Sequence, residues 1–160
     1  MRPNSPTWSP HLSFLLLCLL PACGVNEQSE HIQSICDDST NTSPFETGLV
    51  LRTADESFLL TLVSAQPTPL NRGNNTWVLS LKDGSEVPVP ETSITLVPTM
   101  PGHGHGTHPT SFDGIAGEEP GLFTVGPFDL MMPGTWLLTF SITPSEGEVV
   151  IIESSFCIES

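Results

Sequence analysis

Alternation of apolar and polar residues over short runs is the feature that most constrains how this chain folds. In "TWVLSL" the residues that share the apolar face are Trp77, Leu79 and Leu81. In "TWLLTFSI" the corresponding residues are Trp136, Leu138, Phe140 and Ile142. A period of two is typical of β-strands with one buried face, and no useful length of the chain has the 3.6-residue apolar period of a helix. The chain is therefore expected to fold from strands.

Further apolar segments lie at about 48–53 and 57–65, and in "TSITLVP", "GLFTVGPFDL" and "EVVIIESSFCIES". The sequence contains 16 prolines and 13 glycines, which separate these segments with turns. About seven short strands predict an all-β fold, an antiparallel β-sandwich of immunoglobulin-like type. A small closed barrel is the alternative.

The N-terminus has the layout of an export signal. Arg2 precedes a short apolar run from Leu12 to Leu20, and "LPAC" resembles the lipobox of bacterial lipoproteins. We expect a signal peptide over 1–22 and lipid attachment at Cys23; the alternative is ordinary secretion with Cys23 as a plain thiol. Gly24, in place of an aspartate, favours the outer membrane, with the protein facing the periplasm. The polar segment 23–46 is expected to be a tether, and 47–160 the sandwich domain.

Two cysteines remain once Cys18 leaves with the signal and Cys23 is lipidated. In an oxidising compartment, Cys36 and Cys157 are expected to form a disulfide between the start of the domain and its last strand. A thiolate metal site is the alternative, but neither cysteine has a CxxC partner or a histidine close by in the sequence.

The composition bears on partners and on catalysis. Eighteen acidic residues oppose four basic ones, which gives a formal net charge of −14. No nucleic-acid role is expected, because nucleic-acid binding needs clustered Lys or Arg. The expected partners are the membrane, through the lipid anchor, and an unidentified envelope protein. The sequence shows no Ser-His-Asp arrangement that would indicate a catalytic triad. The adjacent pair Glu118-Glu119 is typical of solvated surface charges, so no enzyme activity is expected.

The chemically most suggestive stretch is "TMPGHGHGTHPT", which holds three of the five histidines, His103, His105 and His108. Intervening glycines let such a loop curl, and neutral imidazole is a common transition-metal ligand. Three imidazoles suit Cu(II), Zn or Ni, whereas a thioether from Met100, Met131 or Met132 would favour Cu(I), because soft ligands select it. Met132 is in phase with the apolar face of its neighbours, so a core position is expected for it. A polar turn without a ligand is the alternative for the whole loop.

The segment from Trp77 to about Ile142 resembles the YtkA-like domain family. The resemblance rests on "KDGSEVPVP", "TMPGHGHGT", "PGLFTVGPFDL" and "MMPGTWLLTFSI". It implies an exported or membrane-bound immunoglobulin-like sandwich, often associated with copper or other metals. It marks as the candidate site Met100, His103, His105, His108 and the Met131-Met132 pair. "M.G.W" is also compatible with a turn followed by a core tryptophan.

These observations predict a lipid-anchored envelope protein that binds a transition metal, copper above all, as a carrier, buffer or sensor. The competing hypothesis is a structural or interaction subunit of an envelope complex with no metal role. An oxidoreductase that uses bound copper is a weaker third possibility.

Overall fold

The structure, a computed structural model, describes Cys36 and residues 42–159. The expected signal peptide, the expected lipid site at Cys23 and most of the expected tether lie outside these residues. Within the described part, no helix is long and apolar enough to cross a membrane.

The described chain consists of strands, turns and one short 3-10 helix. The first four strands are β1 (Val50–Arg52), β2 (Phe58–Gln66), β3 (Gly73–Asp83) and β4 (Ser93–Met100). The 3-10 helix, Pro101–His103, follows β4 directly. The remaining strands are β5 (His105–Gly106), β6 (Phe112–Asp113), β7 (Ile115–Ala116), β8 (Leu122–Leu130), β9 (Gly134–Thr143) and β10 (Val150–Ile158).

The strands form two antiparallel sheets, which confirms the all-β sandwich. One sheet has the order β1-β2-β3-β8-β7, and the other has the order β10-β9-β4-β5, with β6 also paired to β4. The number of strands exceeds the expected seven because β5, β6 and β7, of two residues each, lie within the connection from β4 to β8. Such short pieces carry too few residues to show a period in the sequence.

The alternating residues form the core, as expected. Trp77, Leu79 and Leu81 are at most 1% exposed, and the corresponding residues of β9 are fully buried. Trp77 lies at the centre, with four phenylalanine rings at centroid distances between 5.3 and 6.1 Å: Phe45, Phe128, Phe140 and Phe156. Large aromatic side chains from both sheets thus meet around one tryptophan.

The packed part of the chain begins before residue 47. Thr42 forms a parallel bridge with Ser155 of β10, and the Ser43 backbone N–H donates to the Ser155 carbonyl at 2.7 Å. Cys36 and Cys157 form the expected disulfide, with their Cα atoms 5.6 Å apart. The end of the expected tether is therefore fastened along β10.

Strand pairing brings two connections to one end of the sandwich. The last pair between β4 and β9 is Thr99 with Leu137, so the residues after β4 lie beside the start of β9. The turn between β8 and β9 immediately precedes that start. We call this region the His/Met end and define it by residues 101–108 and 131–133.

Candidate metal centre

The histidine loop is a tight hairpin between β4 and β5. Gly104 has a φ of 68°, a left-handed conformation that glycine adopts without a side-chain clash. Its N–H donates to the Met100 carbonyl at 3.0 Å. This turn pairs His105 with Met100 across the two strands. His103 and His105 therefore flank one sharply turned residue.

The two histidines that flank Gly104 lie side by side. Their ring centroids are 5.7 Å apart at an interplanar angle of 71°, and both residues are exposed. An imidazole nitrogen binds a metal at about 2 Å, which places the ring centre about 3 Å from the ion, so two rings on one ion have centres at most roughly 6 Å apart. The separation of His103 and His105 is within that limit.

His108 is exposed, and no ring contact joins it to either of the other two histidines. Among the described residues, no group of three or more His, Cys, Asp or Glu is arranged to hold a metal ion. The structure thus brings together two of the three predicted imidazoles.

Met100 lies in the core. It is the last residue of β4, is 1% exposed and belongs to the main hydrophobic cluster. Its inward position follows from the alternation along β4, in which every second residue from Ile94 onward is buried. This position gives Met100 a packing role, and its assignment as a ligand stays a prediction without support from the geometry.

The turn between β8 and β9 exposes both of its methionines. Met131 is 44% exposed and Met132 is 37% exposed. The expectation that Met132 belongs to the core is therefore wrong, because the alternation of β8 ends at Leu130 and the chain turns before β9 begins. Periodicity does not extend across a turn.

Two hydrogen bonds hold the backbone of this turn. Arg72 Nε donates to the Met131 carbonyl at 2.9 Å, and Trp136 Nε1 donates to the Met132 carbonyl at 2.9 Å. The sequence pattern predicts a core position for Trp136 and no role for Arg72. A buried indole N–H usually has a partner, which is the signal in the sequence for this second role of Trp136.

Trp136 also contacts the histidine loop. Its side chain is fully buried, and its ring lies edge-to-face with that of His105, at a centroid distance of 6.3 Å and an angle of 77°. His105 Nδ1 lies 3.4 Å from the carbonyl oxygen of Gly106. If Nδ1 carries the proton toward that oxygen, Nε2 is the nitrogen available to a metal.

The donors present suit a soft ion. The imidazoles of the loop and the exposed thioethers of the turn between β8 and β9 are nitrogen and sulfur donors, whereas Ca²⁺ and Mg²⁺ prefer oxygen ligands. Soft nitrogen and sulfur donors of this kind are chemically compatible with Cu(I).

Comparison with known proteins gives one match. The model of a family described as YtkA-like matches residues 55–141, which is more than half of the chain. The matched region contains the histidine loop, the methionine turn and Trp136, and excludes both cysteines of the disulfide. No curated protein and no solved structure matches the chain.

Proposed function

The chain belongs to the YtkA-like family, and on that premise we propose that it binds Cu(I) at the His/Met end. His103 and His105 supply the imidazole nitrogens, and the turn between β8 and β9 supplies a thioether. The protein acts as a copper carrier, buffer or sensor rather than as an enzyme.

The observation that carries this proposal is the pair of exposed imidazole rings 5.7 Å apart. Both rings are accessible to solvent, so an incoming ion can reach them without opening the core. Soft thioether ligands favour Cu(I) over harder ions, and the exposed methionines lie at the same end of the sandwich.

We further propose that the protein works in the cell envelope, anchored by acyl chains on Cys23. The export signal and "LPAC" in the sequence support this location. The disulfide between Cys36 and Cys157 supports an oxidising compartment, where disulfides persist. Attachment through more than one acyl chain gives stable membrane association.

Competition with a chromogenic Cu(I) chelator under anaerobic conditions tests the site. We expect the parent protein to take one Cu(I) per chain. The double variant His103→Ala/His105→Ala is expected to lose at least a hundredfold in affinity, because it removes both imidazoles. Its thermal midpoint without metal is expected to stay close to that of the parent, since both side chains are exposed.

His108→Ala is the matched control, with the same residue type in the same loop. We expect it to bind Cu(I) within about threefold of the parent. Binding that survives the double substitution, or a parent with no affinity better than micromolar, would contradict the proposal.

The interaction-subunit hypothesis has one observation in its favour. All three histidines of the loop, His103, His105 and His108, are exposed at the surface, where another protein can reach them. Under this hypothesis the exposed loop contacts another envelope protein. A thermal midpoint indifferent to copper, together with an envelope protein that co-purifies and is lost in the double variant, would favour it.

A further inference from the structure

Two edge strands lie together at one side of the sandwich. β1 ends one sheet and β10 ends the other, and the two strands contact each other across the gap between the sheets. Edge strands invite pairing with another chain, and proteins usually cover or shorten them. We call this region the β1/β10 side and define it by residues 50–52 and 149–153.

The backbone of β10 is oriented for further pairing. In an antiparallel pair, only alternate residues direct their N–H and C=O groups at the neighbouring strand. The Ser155 carbonyl accepts from the Ser43 N–H and therefore points away from β9, and Ile151 and Glu153 have the same parity as Ser155. Among the described residues, no strand or bridge pairs with Ile151 and Glu153 on that outer edge.

The backbone of β1 has the same property. The Thr53 N–H donates to the Phe58 carbonyl of β2 at 3.2 Å, so Thr53 faces β2. Val50 and Arg52 have the opposite parity and direct their backbone groups away from β2. Within the described chain, each of the two edges thus presents two residues whose backbone groups are available to a further strand.

The side chains of the β1/β10 side are apolar in the middle and charged beside it. Val50 is 39% exposed, Val149 is 54% exposed and Ile151 is 46% exposed. Arg52 and Glu153 are exposed as well. The whole sequence has only four basic residues, and one of them is at this edge.

Arg52 and Glu153 lie on the outer faces of their sheets. The neighbour of Arg52, Leu51, packs against the core, and the neighbour of Glu153, Ile152, is buried. The Glu153 carboxylate accepts a hydrogen bond of 3.2 Å from Thr139, which leaves it further lone pairs for a cation.

Strand directions determine how a second copy fits this side. β3 and β9 both begin at the His/Met end, since Gly73 pairs with Leu130 immediately before the turn into β9. Two antiparallel steps give β1 the direction of β3, whereas β10 runs opposite to β9. β1 and β10 therefore run in opposite directions. A two-fold axis perpendicular to this side reverses the strands of the second copy, so its β1 runs parallel to β10.

We propose that the β1/β10 side binds a second copy of this chain, with β1 of each copy extending the sheet that ends at β10 of the other. Parallel pairing places Val50 beside Ile151 and Arg52 beside Glu153, so that apolar meets apolar and cation meets carboxylate. Two-fold symmetry repeats this match. Only short edges meet, so the interface is expected to bury less than roughly 1,200 Å², which is typical of weak complexes.

Sedimentation equilibrium of the intact protein, in a detergent matched to the solvent density, tests the pairing. We expect a reversible monomer–dimer equilibrium in the parent. Arg52→Glu and Glu153→Arg are each expected to weaken the dimer at least tenfold, because each brings like charges together at two symmetric places. The combined variant Arg52→Glu/Glu153→Arg restores the opposite charges, and we expect its dimer affinity to return to within about threefold of the parent.

Lys82→Glu is the matched control for Arg52→Glu. Both substitutions change the net charge equally, and cross-strand pairs join Arg52 to Leu59 and Leu59 to Lys82 in one row of the sheet. Lys82 lies on β3, two strands in from the edge. We expect Lys82→Glu to leave the dimer affinity within about twofold of the parent. Equal weakening by both variants, or no rescue in the combined variant, would overturn the proposal.

Hydrogen exchange distinguishes a second copy from other occupants of the edge. We expect the amides of Val50, Arg52, Ile151 and Glu153 to become more protected as the protein concentration rises. Protection of these amides that does not change with concentration would mean that the chain covers its own edge, and would overturn the proposal. A protein that sediments as a monomer at every concentration would also overturn it. The dimer is expected to form without metal, so failure here leaves the copper proposal standing.

Discussion

The surroundings of Trp77 and of Trp136 show how one sequence pattern can produce a core anchor in one place and part of a site in another. Both tryptophans follow a threonine and precede alternating apolar residues, and both are at most 1% exposed. Trp77 is enclosed by four phenylalanine rings, and its Nε1 has no hydrogen-bond partner in the part of the chain that the structure describes. Trp136 contacts a histidine ring and donates its N–H to a turn.

Position along the strand accounts for the difference. Trp77 lies in the interior of β3, where neighbouring strands surround it on the core face. Trp136 is the third residue of β9, close enough to the preceding turn for its N–H to reach the carbonyl four residues earlier. A residue near a strand end can therefore fill the core and also hold a surface loop.

The largest expected effect comes from Trp77→Ala. Removal of this indole leaves a cavity among four aromatic rings, and we expect a loss of about 3–5 kcal/mol in the free energy of unfolding. Urea denaturation followed by far-UV circular dichroism measures this loss. A loss below about 1 kcal/mol would show that the rings collapse around the gap and that Trp77 does not anchor the core.

The sequence predicted the Trp77 region better than the Trp136 region, for a physical reason. Burial on a strand follows a local period of two, so the inward faces of β3, β4 and β9 could be identified from the residues alone. Contacts between loops depend on where the strands end and on how they pair. The proximity of His103 to His105 depends on the left-handed turn at Gly104, and the exposure of Met132 depends on the end of β8 at Leu130.

Removal of the disulfide tests whether the stability of the fold and the metal affinity of the His/Met end are independent of each other. Cys157 pairs with Thr135, the neighbour of Trp136. The double variant Cys36→Ser/Cys157→Ser is expected to lose about 2–5 kcal/mol, because the bridge closes a long loop and restricts the unfolded chain. Chemical denaturation of the variant gives this value.

We expect the Cu(I) affinity of the same double variant to stay within about threefold of the parent below its thermal midpoint. A much larger loss of Cu(I) affinity would mean that the disulfide positions the metal site as well as stabilising the fold. The core around Trp77 and the site around Trp136 would then depend on the same bridge.

Met100 and Met132 extend the comparison from tryptophans to methionines. Met100→Ala is expected to cost about 3 kcal/mol, since it removes a buried side chain from the main cluster. Met132→Ala is expected to change the free energy of unfolding by less than about 0.5 kcal/mol, because its side chain is exposed. Parallel urea titrations of the two variants measure the difference, and equal losses would contradict the separation of core and site.

The smallest expected difference between two paired variants concerns the two indole N–H groups. In the metal-free protein, Trp136→Phe removes a hydrogen bond worth about 1 kcal/mol, in addition to the effect of the smaller ring. Trp77→Phe is the matched control, since the N–H that it removes has no partner among the described residues. Methionine methyl NMR distinguishes them: Trp136→Phe should shift the Met132 signal, whereas Trp77→Phe should leave it unchanged. A Met132 shift of equal size in both variants would mean that the turn responds to general core packing and not to the bond from Trp136.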